Sequence, residues 1–225
     1  MKINVLKNYK ELSSTVGDIV EYQIQEEPLS RLVLPTGSTP LGLYEELVNR
    51  ELDWSSIITF NLDVYIMNPN HPQSYQTFMK KHFFNRINIY PNRCHFPDRN
   101  VEVYEQLLRI DFNTPPDLCI LGIGTNGHIA FNEPGSSFDS RTRVVSLSEQ
   151  TIKDNSRYFD SIDEVPKQAI TMGLGTIMES KKIILMANGK HKLNILNVAM
   201  NDEVTEDVPA SILQNHNNVE VYYCD

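Results

Sequence analysis

Asp117-Leu118-Cys119-Ile120-Leu121-Gly122-Ile123-Gly124-Thr125-Asn126-Gly127-His128-Ile129-Ala130-Phe131-Asn132-Glu133-Pro134-Gly135 is the stretch that decides how this chain is read. Asp117–Leu121 is short, aliphatic and non-alternating, which suits a strand covered on both faces. It empties into a glycine-rich turn that sets His128 among polar side chains. Imidazole is the side chain best poised for proton transfer near neutral pH. Asn126 and Glu133 stand close enough in sequence to fix its tautomer and support its basicity. Gly122, Gly124 and Gly127 have G-x-G-x-x-G spacing, yet no acidic residue closes a second strand about 20 positions on. Asp139 falls in a serine-rich loop, so a nicotinamide cofactor is not expected.

Outward from this stretch, the same kind of run recurs at Lys2–Leu6, Arg31–Leu34, Ile57–Leu62, Ala169–Met172, Lys182–Met186 and Val219–Cys224. Helical patterns fall between the runs, near Tyr9–Gln25, Pro40–Asn49, Gln73–Phe84, Val101–Leu108, Ser148–Tyr158, Gly175–Ser180, Gly189–Met200 and Pro209–Gln214. Such alternation predicts an α/β fold: one domain over 1–225, with a mainly parallel sheet and helices on both faces. Ligands in doubly wound sheets sit beyond the carboxyl ends of the strands. Chemistry is therefore sought directly after each strand.

Pro35-Thr36-Gly37-Ser38-Thr39-Pro40 follows the Arg31–Leu34 run and opens a helix. Its hydroxyls and the free N–H groups of a helix start suit a phosphate. The same residues also suit a capped turn that binds nothing. Asp63, in Phe60-Asn61-Leu62-Asp63-Val64-Tyr65, faces the expected crevice as a candidate base, or else caps the next segment. Ser74 and Tyr75 line a pocket or cap and pack. Arg141, Arg143, Arg157 and Lys192 form a local anion site or are ordinary solvated cations. The six histidines show no metal-binding spacing, and no G-x-S-x-G elbow is present.

The 225 residues carry 29 acidic and 20 basic side chains, a net charge of −9. That balance argues against a nucleic-acid binder, which needs a basic footprint. No apolar run approaches the roughly 20 residues of a membrane span, and the first residues lack a signal-peptide core. Three scattered cysteines, Cys94, Cys119 and Cys224, form no disulfide framework. A cytoplasmic protein is expected.

Taken together, Leu34–Pro40, Phe60–Asp63, His71-Pro72-Gln73-Ser74-Tyr75 and Gly127–Pro134 resemble the glucosamine-6-phosphate deaminase family. Ser140–Arg143, Asn155–Phe159, Val165–Lys167 and Val204–Ser211 continue the resemblance in the same order. It implies a modified doubly wound fold. It also implies conversion of glucosamine 6-phosphate and water to fructose 6-phosphate and ammonia, with no metal or organic cofactor. Asp63 matches the carbon base, His128 the ring-opening residue, Glu133 its carboxylate partner, and Asn126 a position that is Asp or Asn. Thr36, Gly37, Ser38 and Thr39 match the phosphate loop, with Arg157 and Lys192 reaching the phosphate. The segment 148–170 matches a mobile lid.

Val64 stands where Glu is common in the family, the stretch between Asn100 and Asp117 is shorter, and the usual C-terminal extension is not seen. Val145 replaces a lysine of the effector site, although Arg143 is retained. No activation by an N-acetylated sugar phosphate is therefore expected, and a monomer is preferred. Two rivals stay open: a same-fold enzyme on galactosamine 6-phosphate or 6-phosphogluconolactone, and a non-catalytic sugar-phosphate sensor.

Overall fold

The computed structural model describes residues 1–109 and 115–225; part of the shortened Asn100–Asp117 stretch thus lies outside the described residues. Strands β1 (Ile3–Leu6), β2 (Arg31–Leu34), β3 (Ile58–Asn61), β4 (Asp63–Tyr65) and β5 (Cys94–His95) occupy the first half. Strands β6 (Leu118–Gly122), β7 (Arg143–Ser146), β8 (Gln168–Thr171), β9 (Ile183–Asn188) and β10 (Val219–Cys224) follow. The helices are α1 (Tyr9–Glu26), α2 (Leu41–Val48), α3 (Tyr75–His82), α4 (Val101–Leu107), α5 (Glu149–Asn155), α6 (Leu174–Ile177) and α7 (Leu193–Asn201). Among the described residues no helix is long and apolar enough to cross a membrane.

Seven strands form one sheet in the order β1-β10-β9-β6-β2-β3-β5, every neighbouring pair parallel. Successive side chains of a strand face opposite sides, and both sides are covered. Leu32, Leu34, Leu118, Ile120, Ile184 and Met186 pack with Leu12, Val16 and Val20 of α1 and with Leu43, Tyr44 and Leu47 of α2. Val33, Cys119, Leu121, Ile183 and Leu185 face the other layer, with Tyr104 of α4 and Leu196, Ala199 and Met200 of α7. The expected doubly wound, mainly parallel sheet is the observed one.

The remaining strands, β4-β8-β7, form a separate antiparallel sheet. The reading of Ala169–Met172 as one more strand of the wound sheet is therefore corrected: these residues fall in β8 and just after it. The Ile57–Leu62 run supplies β3, and the chain turns out of the sheet just beyond it. The chain leaves the parallel sheet at Leu62, whose N–H donates to Leu34 O at 3.1 Å, and re-enters pairing as β4. A three-residue strand carrying an aspartate is too short for periodicity to reveal. Pro209–Gln214, read as a helix, is a 3-10 turn over Pro209–Asn215. Ser148–Tyr158 is α5 followed by a 3-10 turn, Ser156–Tyr158.

Helix α1 starts with a reciprocal cap. Asn8 Oδ1 accepts from Glu11 N at 2.9 Å, and the Glu11 carboxylate accepts from Lys7 N at 2.6 Å. The helix then packs closely on α2 at Gly42, where a Cβ would lie 2.3 Å from Ser13 Oγ. This contact brings Tyr9 beneath the chain that follows β2.

Candidate active site

Four adjacent strands of the parallel sheet, β3, β2, β6 and β9, end on one rim, and each delivers a polar segment there. After β2 the chain passes through Gly37 at φ +99°, a conformation that a side chain disfavours. The capped-turn reading of this loop fails. Helix α2 begins after Pro40 with no side-chain cap, so the hydroxyls are not spent on the helix end. Thr39 Oγ1 instead donates to Asn188 Oδ1 at the end of β9, at 3.0 Å, and Ser38 is exposed. From below, the Tyr9 hydroxyl lies 2.8 Å from Thr39 O and 3.1 Å from Ser38 O, and it accepts from Gly42 N at 2.7 Å. Sequence reading missed Tyr9 and Asn188. Only Asn188, a polar residue ending an apolar strand, carried a signal.

Asp63 opens β4 and is buried. Burial alone pushes its carboxyl up to about 7. A carboxyl near neutrality is a competent general base at physiological pH. Phenols surround it: burial first, then the Asp63 charge, pushes Tyr44 and Tyr104 well above their usual range. The Tyr104 hydroxyl donates to Asn61 O at 2.6 Å, fixing the end of β3 two residues before the carboxylate. Tyr75, half-buried on α3, interacts with both Thr36 and Tyr65 and so joins the phosphate-type loop to the Asp63 strand. Ser74 caps α3, accepting from Thr77 N at 3.1 Å. Val64 projects to the opposite face of β4 from Asp63 and pairs with Ile170.

After β6 the chain folds back so that Gly124 N donates to His128 O at 2.9 Å. Gly124 is there because the imidazole lies on it: a Cβ would sit 2.2–2.4 Å from three ring atoms. Glu133 is half-buried, and burial raises its carboxyl. His128 nearby and the hydrogen bonds from Thr151 and Asn126 outweigh this and hold it at about 2. It is therefore an anion that only accepts. Asn126 must turn its Nδ2 to Glu133 Oε2, at 2.7 Å, which leaves Oδ1 facing His128 Nδ1, also at 2.7 Å. In the neutral imidazole Nδ1 is then the donor, and Nε2 keeps its lone pair. His128 Nδ1 is 3.7 Å from Glu133 Oε2, beyond a direct bond, so the asparagine relays the contact.

The loop that follows is clamped to the antiparallel sheet. Phe131 N donates to Thr171 Oγ1 at 3.0 Å, and Asn132 Nδ2 to Met172 O at 2.8 Å. Arg143 donates to Asn132 Oδ1 at 2.9 Å. Lys192, after β9, donates to Ile123 O at 2.7 Å and so reaches the rim. Arg141 and Arg157 make other contacts. Arg141 pairs with Glu105 at 2.9 Å and with Glu179 at 2.7 Å, while Arg157 is exposed over the Tyr158 ring at 4.8 Å.

The family model for glucosamine-6-phosphate isomerases/6-phosphogluconolactonase matches residues 7–222. This chain belongs to that family. Among its members, glucosamine-6-phosphate deaminase of Thermoanaerobacter sp. (strain X514) is 47% identical over 231 residues, covering 98% of this chain and 91% of the relative. Glucosamine-6-phosphate deaminase 2 of Bacillus subtilis (strain 168) is 47% identical over 235 residues, covering 98% and 94%. A monomeric glucosamine-6-phosphate deaminase of known structure superposes with a TM-score of 0.94 at 42% identity, covering 100% of this chain and 97% of that one. A 6-phosphogluconolactonase from Thermotoga maritima shares the family's fold at 24% identity, with a TM-score of 0.79 over 99% and 98% of the two chains.

Proposed function

We propose that this protein is a glucosamine-6-phosphate deaminase, releasing fructose 6-phosphate and ammonia from glucosamine 6-phosphate and water. The observation that carries the reading is the pair of proton-transfer groups on one rim: a buried carboxyl at about 7 on Asp63, and a His128 whose Nε2 is left basic by the Asn126–Glu133 relay. In this reading Nε2 takes the anomeric hydroxyl proton and returns one to the ring oxygen. Asp63 then removes the proton at C2 and delivers it to C1, converting the resulting enolamine to an imine. Water hydrolyses the imine at C2. Thr36, Gly37, Ser38 and Thr39 hold the phosphate beside Lys192.

The segment 148–170 acts as a mobile lid on the single domain, and Arg157, exposed on it, reaches the phosphate. The chain works as a cytoplasmic monomer, like the monomeric deaminase it resembles at 42% identity. It is not activated by N-acetylglucosamine 6-phosphate, because position 145 is an apolar residue packed beside Leu147 and Ala169.

The test is release of ammonia and fructose 6-phosphate, in equal amounts, from glucosamine 6-phosphate by the purified protein. Asp63→Asn is expected to remove at least about 10²-fold of that rate. Binding of the sugar phosphate without turnover makes the protein a sensor. Hydrolysis of 6-phosphogluconolactone that survives Asp63→Asn, with no deamination by either form, makes it a lactonase.

A further inference from the structure

The segment 148–170 touches the His128 relay through a side chain to which the reaction above gives no role. Ser148 caps α5, its Oγ accepting from Thr151 N at 3.1 Å. The Ser148 Oγ also lies 3.0 Å from Thr151 Oγ1, and the buried Thr151 hydroxyl is hydrogen-bonded to Glu133 Oε1. Because Glu133 is an anion, the proton between Thr151 and Glu133 belongs to the threonine. The Thr151 oxygen is then free to accept, and the Ser148 hydroxyl donates to it. A directed chain results: Ser148 to Thr151 to Glu133, with Asn126 donating to the other carboxylate oxygen. Each oxygen of Glu133 is thus held by a different element, one by the His128 loop and one by α5.

We propose that Thr151 is a positioning residue that couples the seating of segment 148–170 to the orientation of the His128 imidazole. The inference rests on the deaminase reading above and assigns that reaction a control point. With α5 seated by Ile152 and Phe159 against the Tyr65–Phe131 cluster, the carboxylate is pinned on both sides. The Asn126 amide is then fixed and Nδ1 keeps its proton. When α5 lifts, Glu133 loses a charge-assisted donor, the amide is free to turn, and the imidazole is no longer confined to the tautomer with a basic Nε2. Ring opening is thereby tied to a covered substrate.

Thr151→Val keeps the shape and removes the donor; Thr151→Ser keeps the donor. In Thr151→Val, kcat is expected to fall about tenfold, the size of a lost bond to a charged group. KM should stay within about twofold, since Thr151 is buried with its hydroxyl spent on Glu133. Thr151→Ser should restore most of the rate. Nitrogen NMR of the imidazole in the substrate-free proteins, followed with rising pH until the ring is neutral, supplies the independent readout: a protonated Nδ1 and unprotonated Nε2 in the parent and in Thr151→Ser, and a tautomer mixture in Thr151→Val. Parent-like spectra and kcat in Thr151→Val overturn the proposal, as does a Thr151→Ser protein no better than the valine form. A parent protein without turnover sinks the deaminase reading instead, and the spectra alone then decide the coupling.

Discussion

Asp63 and Thr171 lie directly opposite each other across the antiparallel β4–β8 pair. Thr171 Oγ1 also accepts from Phe131 N, three residues beyond His128. One threonine therefore ties the strand of the carboxylate to the loop of the imidazole. The two proton-transfer groups are held by one small sheet, although 65 residues separate them in the chain. Precise mutual placement of this kind is what turns two ordinary side chains into a catalytic pair.

Asp63→Asn is expected to trade activity for stability. The Asp63 carboxyl sits at about 7 against an ordinary 3.8, so between those values the unfolded chain loses a proton that the folded chain keeps. Stability of the parent protein from this group is full below about pH 4 and is lost as pH rises to about 7. The asparagine form lacks that loss. Urea unfolding should show it more stable above pH 7, by at most on the order of 4 kcal/mol, with the gain vanishing near pH 4. Equal stability of the two forms at pH 8 would show that the carboxylate is not desolvated. Deaminase activity of the parent should rise through about pH 7 as the base ionises.

Gly124→Ala is expected to displace the imidazole without unfolding the protein. Its Cβ would overlap the His128 ring at 2.2–2.4 Å. Rotation of the ring off Gly124 breaks the Nδ1 contact to Asn126. A fall in kcat of about 10²-fold is expected, the value of one acid–base group. The variant's thermal midpoint checks that the fold survives.

Tyr9→Phe reports on the loop that follows β2. Loss of the hydroxyl leaves Gly42 N without its acceptor and frees the carbonyls of Ser38 and Thr39. Stability should fall by about 1 kcal/mol. KM for the sugar phosphate should rise about three- to tenfold with kcat little changed, as for lost uniform binding. A changed kcat with constant KM would remove the loop from phosphate binding.

Val64→Glu does not tune the base. Val64 is buried, faces away from Asp63, and lies opposite Ile170, which in turn pairs with Val144. A carboxylate in this apolar row is expected to cost roughly 2–4 kcal/mol of stability. The pH at which activity rises should stay where it is; a shift would place residue 64 within reach of the Asp63 charge.

Much of this site was legible in the chain because each candidate follows a strand. The runs ending at Leu34, Leu62 and Leu121 point to the loop, Asp63 and His128, since aliphatic residues mark strands buried on both faces and such sheets bind at one edge. Arg141 shows where the reading stopped. Its position near the loop suggested an anion site, but its charge is taken up by Glu105 and Glu179, more than 30 residues away on either side. Tyr9 left no trace, because a tyrosine at a helix start is ordinary until another helix packs beside it.

The sequence by itself determined the wound parallel sheet, its two covered faces, and the segments that gather at its rim. These depend on local periodicity and on where apolar runs end. The tertiary structure alone decided that β4 leaves that sheet to pair with β8, that Asn126 stands between His128 and Glu133, and that Thr151 reaches the same carboxylate. Hydrogen bonds between distant side chains and the burial that raises Asp63 are set by packing in three dimensions, and no pattern of neighbours along the chain encodes them.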